Sequence, residues 1–382
     1  MSTIPFYKPF LSSASLSYIQ ESVTSSSSLF RGDYHARCTS YFDTYFSPSK
    51  PFLVSSCTEG IVMALMVLDL QPGDEVIVPS FTFVSVVNAL VNRGCVVRFA
   101  DCLPGLPVLS EESVKAVVTK KTKAVIDLYY GGVVSEAHRD LYAFCRSKGI
   151  FYIADAAHVV IDAGRPHPLN QLADITVFSF HETKPIQSGQ GGLLVLHIQD
   201  LLDKAISIYN HGTDRKSTSS YENGFYQWVN EGIEFNLNEL SCALLWSQLE
   251  RSEQIAEAYL SAVSSYSEGL QSLVASRKIN TLSSVSAQDV IWYSPSIVYL
   301  STHTKDERDA LQHYLRDHGV DSRVHYYPLH ASAYYNSHFA SKDDCPQASH
   351  FSQTLLRLPV YYDIDAITIA QVTPLIHHFY ES

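Results

Sequence analysis

A chain of 382 residues, 46% hydrophobic and only 17% charged, is too apolar to be disordered along its length. At ~150 residues per domain it has room for two. With 39 acidic against 27 basic residues and a formal net charge of -12, it lacks the sign that a nucleic-acid or anionic-membrane surface needs, while a local basic pocket for a small anion stays open. The sparse charge is a hint that part of the surface is covered by another copy.

The first ten residues, MSTIPFYKPF, have no basic start leading into an apolar stretch, so no signal peptide is expected. No apolar run reaches eighteen residues, so no spanning helix is expected either. The seven cysteines are widely spaced and include no C-x-x-C. Reduced thiols in a cytoplasmic protein are the expectation, and a zinc site is disfavoured.

Along the chain, residues 11–28 are serine-rich, but Leu16, Tyr18, Ile19 and Val23 recur at helical spacing, so a helix is predicted there. A strand over 52–54 precedes a helix over 59–68. Strands follow over 75–78, 96–99 and 124–126. A helix over 136–147 stops at Gly149, ahead of a strand over 150–154 that runs into Asp155. Two more strands are predicted over 174–179 and 192–196. Apolar strands alternating with helices predict an α/β domain whose mostly parallel sheet is covered on both faces.

After about residue 240 the pattern changes. Ile255, Tyr259, Ala262, Tyr266 and Leu270 mark a long amphipathic helix. Beyond it come a strand over 296–300, a helix over 305–317 stopped at Gly319, a strand from Val320, and a last helix opened by Asp363 or Asp365. The expected division is a large domain over 1–250 and a smaller α+β unit over 251–382, with the boundary near 245–255.

Three places could carry chemistry. Ser55-Ser56-Cys57-Thr58-Glu59-Gly60 lies between a strand and a helix, where backbone N–H groups and hydroxyls suit a phosphate. Thr58 can equally be a plain helix cap. Asp155 ends an apolar strand, the position at which open α/β sheets meet ligands; it too can be a capping residue. Lys184 follows the strand over 174–179 and precedes Ser188-Gly189-Gln190-Gly191-Gly192. A lysine against apolar walls can serve as an amine nucleophile, although most lysines are surface residues and the glycines can be a tight turn. Together, in this order, the three are what pyridoxal 5'-phosphate (PLP) requires: an amine to bond its aldehyde, a carboxylate to keep its ring nitrogen protonated, and a helix start for its phosphate.

At this point the chain resembles the DegT/DnrJ/EryC1/StrS family, sugar aminotransferases of PLP fold type I that act on nucleotide-linked keto-sugars. The likeness covers nearly the whole chain. It is carried by Ser56-Cys57-Thr58, by residues 70–77 and 79–85, by Asp155-Ala156-Ala157-His158, and by Phe178-Ser179-Phe180-His181-Glu182-Thr183-Lys184. Residues 211–215, 235–239 and 324–330 add to it. The segment around Lys184, and Gly212-Thr213, look most like enzymes that aminate carbon 4 of dTDP-4-keto-6-deoxyglucose.

The resemblance implies a large domain with a mostly parallel seven-stranded sheet and a smaller C-terminal domain. It also implies roles. Lys184 would bond to the cofactor and move protons, and Asp155 would pair with the pyridinium nitrogen. Thr58 and the Glu59 N–H would hold the phosphate with Ser179. Phe83 would stack on the ring, and His158 would touch its hydroxyl. Asn236 would reach the phosphate across a dimer interface, making the active unit a homodimer with shared sites. His325 and His330 would contact the nucleotide-sugar, or else belong to an ordinary polar loop.

Three positions depart from the family pattern. Glu59 stands where a small residue is usual, so its side chain should point away from a phosphate, where it favours the helix N-terminus. Gln190 stands where glutamate is common. The 217–232 loop is rich in polar and aromatic residues and would help choose the substrate. Lys184 is retained, where relatives with histidine dehydrate instead.

The function implied is transfer of the amino group of L-glutamate to carbon 4 of dTDP-4-dehydro-6-deoxy-D-glucose. The products would be 2-oxoglutarate and a dTDP-4-amino-4,6-dideoxyhexose for a surface polysaccharide such as O-antigen, of either gluco or galacto configuration. The alternatives are amination of carbon 3 of a 3-keto-sugar, and a non-catalytic sensor or scaffold on the same fold.

Overall fold

In the computed structural model, described over residues 3–26, 28–162, 168–215, 225–281, 290–293, 295–339 and 343–381, the apolar runs assemble into one seven-stranded sheet. Its strands are β1 (Lys50–Val54), β2 (Glu75–Pro79), β3 (Val96–Ala100), β4 (Thr122–Leu128), β5 (Phe151–Asp155), β6 (Ile175–Ser179) and β7 (Gly192–Leu196). The order is β1-β7-β6-β5-β4-β2-β3. Neighbours from β6 to β3 are parallel, and β7 alone runs against the rest, pairing antiparallel with β6 and β1. The expected mostly parallel sheet is therefore present.

Continuous apolar strands are buried on both faces because successive side chains point opposite ways. In β2, Val76 and Val78 enter one core layer and Ile77 the other. Helices Cys57–Val67, Val84–Arg93 and Leu202–Tyr209 cover the first layer; Asp33–Tyr45, Glu136–Lys148 and Glu239–Leu249 cover the second. Local signals explain the ends. Ser12 and Ser15 form a reciprocal cap on helix Ser13–Thr24, and Gly149, at φ 67°, closes Glu136–Lys148 in the left-handed region that glycine reaches without strain.

Beyond helix Ser252–Ala275 lies a three-stranded antiparallel sheet, β8 (Asn280–Thr281), β9 (Val298–Ser301) and β10 (Leu355–Leu358), with β9 in the middle. Helices Lys305–Asp317 and Ala366–Glu381 flank it. Asp365 opens the last helix by accepting the Thr368 N–H at 2.7 Å, whereas Asp363 pairs with Lys8.

Two expectations need correction. No strand starts at Val320; that residue makes a single bridge to Ile4, because the N-terminal segment lies beside it. Helix Asp33–Tyr45 was not anticipated, although Tyr34, Cys38 and Phe42 bury one face at four-residue spacing. All seven cysteines are free thiols. Among the described residues no helix is long and apolar enough to cross a membrane.

Candidate active site

One edge of the sheet gathers the residues of interest: the C-terminal ends of β1, β5 and β6, and the N-terminal end of β7. Leaving β1, the chain turns through Ser55 and Ser56 into helix Cys57–Val67. Ser56 caps that helix by accepting the Glu59 N–H at 3.1 Å. Two glycines let this helix start sit against the sheet. A Cβ on Gly60 would meet Val177 Cγ1 at 2.7 Å, and one on Gly192 would meet the Cys57 nitrogen at 2.7 Å.

The helix start opens onto a cavity of about 460 Å³. Thr58, Phe83, Asp155, His158, Ser179, Lys184 and His325 all line it. Thr58 and Asp155, 97 positions apart, are brought together by the sheet order, since β1 and β5 are separated only by β7 and β6.

Lys184 is carried by the loop joining β6 to β7. Backbone bonds from Phe180 to Gly191, from Glu182 to Gly189 and from Lys184 to His181 brace that loop. The side chain lines the cavity. Burial, reinforced by the Arg357 charge, pulls its amine down to about 8. Asp155 is buried where β5 ends, with one carboxylate oxygen accepting the Ala157 N–H at 3.0 Å. Burial raises its carboxyl to about 6; that hydrogen bond and the Lys184 charge oppose the rise. A buried carboxylate so incompletely compensated is suited to a cationic partner.

His158 is buried between the backbone N–H of Gly131, 3.4 Å from Nδ1, and the Tyr326 hydroxyl, 3.0 Å from Nε2. Burial keeps its pKa well below the usual histidine range, so the ring is neutral. The Ser179 hydroxyl accepts the His181 N–H at 3.3 Å. Phe83 precedes helix Val84–Arg93 and leaves 54% of its surface open at the cavity wall.

Three expected site residues do not line this cavity. The Glu59 N–H is already engaged by Ser56, and the side chain is half-buried elsewhere. Its Oε2 has no partner among the described residues, and burial raises its carboxyl. Asn236 is held outside the cavity, accepting from Arg31 Nε at 2.6 Å and donating to Glu234 at 2.6 Å. His330 braces its own loop, with Nδ1 2.6 Å from the Ser80 hydroxyl and Nε2 3.4 Å from that of Ser349. Of the loop over 217–232, residues 217–224 lie outside the described residues.

The sequence reading missed Arg357, Tyr326, Phe6 and Tyr7, which also line the cavity. Arg357 had a signal: it is the one charge inside the apolar run Leu355-Leu356-Arg357-Leu358. Tyr326 lay in a matched segment with no role attached. Phe6 and Tyr7 had no sequence signal; they arrive because the N-terminal segment folds back over the site.

The donor set fits PLP. A compensation-seeking carboxylate suits a ring N–H, a low-pKa amine suits an aldehyde, and an eleven-residue helix start with the Thr58 and Ser179 hydroxyls beside it suits a phosphate.

The sequence pattern of the DegT/DnrJ/EryC1/StrS aminotransferase family matches residues 12–377. The chain is similar to the spore coat polysaccharide biosynthesis protein SpsC of Bacillus subtilis, 27% identical over 94% of this chain and 92% of that protein. It is also similar to the GDP-perosamine synthase of Vibrio cholerae, 28% identical over 93% of each. Its fold is shared with the PLP form of the sugar aminotransferase Spr1654 from Streptococcus pneumoniae, with a TM-score of 0.84 and 22% identity over 99% of each chain.

Proposed function

The chain belongs to the DegT/DnrJ/EryC1/StrS aminotransferase family and is a PLP-dependent sugar aminotransferase; from that premise we propose that it moves the amino group of L-glutamate to carbon 4 of dTDP-4-dehydro-6-deoxy-D-glucose. When bound, PLP supplies an aldehyde that takes up and returns an amino group, and a ring that accommodates the electron pair left by a broken C–H bond. The observation that carries the reading is the convergence of Lys184 and Asp155, from separate strand ends, on one cavity.

The proposed division of labour follows from the donors. Lys184 Nζ would hold the cofactor through its aldehyde and would carry the proton between the donor carbon and the sugar carbon. The Asp155 carboxylate pairs with the ring N–H. Thr58 and Ser179 would bind the phosphate at the helix start, where the Glu59 N–H is taken by Ser56; Phe83 would pack along the ring, and His158 would lie beside the ring hydroxyl. His325 faces the sugar from the cavity wall. His330 serves only through the loop it braces.

The active unit is proposed to be a homodimer. Leu29, Phe30, Phe225, Trp228, Val229 and Ile233 leave from 37% to 83% of their surfaces exposed, apolar surface that a second copy would cover. Asn236 lies near them in sequence, outside its own cavity, and in this reading it reaches the phosphate of the second copy. The 1–250 and 251–382 units are proposed to meet at the active site, and seven free thiols suit a cytoplasmic enzyme.

Carbon 4 and the dTDP carrier are supported by the likeness of residues 178–184 and of Gly212-Thr213 to carbon-4 aminotransferases. A GDP-linked acceptor is the second reading, supported by the similarity to GDP-perosamine synthases. Similarity to a spore coat polysaccharide protein supports a product destined for a surface polysaccharide. NMR of the product from glutamate with the dTDP-4-keto-sugar, a GDP-4-keto-sugar or a 3-keto-sugar decides. A new amine on carbon 4 of the dTDP sugar is expected, and its ring couplings report the gluco or galacto configuration; amination of only one of the others overturns the reading.

A further inference from the structure

We propose that Arg31 of each copy forms an ion pair with Glu59 of the partner subunit, so that the two copies clasp each other at the helix starts that take the cofactor phosphate. This rests on the homodimer reading and names a contact that holds the dimer together. Arg31 lies two residues before helix Asp33–Tyr45, in a segment fixed from two sides. Ser28 Oγ accepts the Phe30 and Arg31 N–H groups at 3.1 and 3.3 Å. The Glu239 carboxylate accepts the Gly32 N–H at 2.9 Å, and the Glu239 N–H donates to the Leu29 carbonyl at 3.1 Å.

The half-buried Arg31 guanidinium is tethered but not neutralised. Nε donates to Asn236 Oδ1 at 2.6 Å and Nη2 to Asn210 Oδ1 at 3.1 Å, both uncharged acceptors. The guanidinium carbon lies 5.0 Å from the centre of the Tyr209 ring and 5.6 Å from that of Phe30. It makes no ion pair with any described residue. Glu234 is engaged instead by Asn236 Nδ2 at 2.6 Å and by His211 Nε2 at 3.0 Å. A cation held among rings and amides has lost water that an anion would replace. Glu59 is the opposite charge in the same condition. It stands in the first turn of helix Cys57–Val67, and its carboxylate has neither an ion pair nor a hydrogen bond among the described residues. Oε2 is buried, but Oε1 is not enclosed and stays open to an incoming donor.

Position brings the two charges together. Asn236, to which Arg31 is bonded, bridges to Val54 at the end of β1. The Ser55 N–H donates to the Phe235 carbonyl at 2.7 Å, and the helix bearing Glu59 begins at Cys57. Within one chain the two charges therefore border the same strand end without pairing. A two-fold interface uses such an arrangement, because residue i then meets residue j of the second copy while j meets i. In the homodimer reading Asn236 crosses to the phosphate site of the second copy. Arg31 crosses with it and arrives at the helix start where the partner's Glu59 stands. The phosphate there has Thr58 and Ser179, whereas the carboxylate has no donor. An uncompensated carboxylate in that first turn also repels the phosphate, so the cation that neutralises it favours the cofactor too. Leu29 and Phe30, exposed just before Arg31, supply apolar surface to exclude water around the pair.

Charge reversal tests the clasp on PLP-loaded protein, by sedimentation velocity over a concentration series. Arg31→Glu or Glu59→Arg alone sets like charges against each other at both symmetric contacts, and the dimer dissociation constant is expected to rise about 100-fold or more. The double variant, Arg31→Glu with Glu59→Arg, should return to within about tenfold of wild type. Mixing the two single variants is the decisive arm. In a mixed dimer both contacts again join opposite charges, so two proteins that each dissociate should dimerise with one another. That rescue shows that neither variant is merely misfolded, and an ion pair within one chain cannot produce it. Single variants that dimerise like wild type overturn the inference. So does a mixture that stays monomeric, or a loss of PLP affinity in Arg31→Glu with the dimer intact, which would put Arg31 on the phosphate. Wild-type protein that is monomeric at every concentration refutes the homodimer reading together with the clasp. A stable wild-type dimer inert toward glutamate and every keto-sugar would instead refute the proposed reaction and leave the clasp standing on the mixing result.

Discussion

The Tyr326 hydroxyl stands 3.0 Å from Nε2 of His158, and this contact fixes the state of both groups. The Gly131 N–H donates to Nδ1, so in the neutral ring Nε2 carries the hydrogen. The tyrosine oxygen therefore accepts from His158, and its own O–H is free to donate into the cavity it lines. Replacing Tyr326 by Phe strands a buried imidazole N–H. The expected cost is about 1–3 kcal/mol of stability by denaturant titration, since an unmade buried bond is dearer than a made one is worth. Stability unchanged by the substitution would mean that the contact is not formed.

The depressed amine of Lys184 has a pH signature. Its folded value, about 8, lies below the ordinary 10.5. In cofactor-free protein the rate of bonding to added PLP should climb with pH, levelling above about 8, and Lys184→Ala should abolish the visible absorbance that results. Arg357→Gln removes a cation that holds the amine down, so the curve should move to higher pH. The sign for stability follows: between about 8 and 10.5 the unfolded chain holds the proton more tightly, so this group's contribution rises with pH through that window and is lost as pH falls through about 8.

How much of this was readable beforehand depends on chain separation. The fold was legible because each strand of the main sheet is a short apolar run bounded by its own turn residues, and Asp155 and Lys184 stand at the ends of two such runs. Family likeness supplied the roles. What sequence could not supply was contact between distant segments. Arg357 lies 173 positions after Lys184 and shares a cavity with it only because β10 and the loop after β6 border the same space. His330 shows the converse: a histidine in a matched segment looked like a ligand contact, but Ser80, 250 positions earlier, holds its ring. The expected strand at Val320 failed for the same reason, its neighbour being a segment more than 300 residues away.

Glu239 offers a test of the large domain's framework. It is wholly buried, yet its carboxylate accepts the backbone N–H groups of Gly32, Tyr34 and His35 at 2.8–2.9 Å. It thus caps helix Asp33–Tyr45 from another element, doing for three orphan donors what a local cap does for one. Glu239→Ala should cost on the order of 3 kcal/mol or more, because charged hydrogen bonds are lost and buried donors left bare. Glu239→Gln, keeping one acceptor, should cost less. Denaturant titration checks both, and an alanine variant as stable as wild type would refute the capping role.

Asp127 makes the sharpest prediction of sign. It is fully buried in β4, beside the strand that bears Asp155, and accepts the Tyr152 hydroxyl at 2.9 Å and the Leu109 N–H at 3.3 Å. Burial outweighs those bonds and raises its carboxyl to about 7. His138 does not rescue the charge. Its Nδ1 accepts the Ser135 N–H at 3.0 Å, its Nε2 stays 3.8 Å from Asp127, and burial holds its pKa down at about 3. A raised carboxyl stabilises the fold fully below about 4 and loses that contribution as pH rises through about 7. Asparagine never ionises and keeps an acceptor for the Leu109 N–H. The stability difference between Asp127→Asn and wild type should therefore swing in the variant's favour from pH 4 to pH 8, by on the order of 3–4 kcal/mol. Comparing the two proteins at each pH cancels the opposite drift from buried histidines common to both. A swing against the variant would show that Asp127 is ionised and paired with His138 after all.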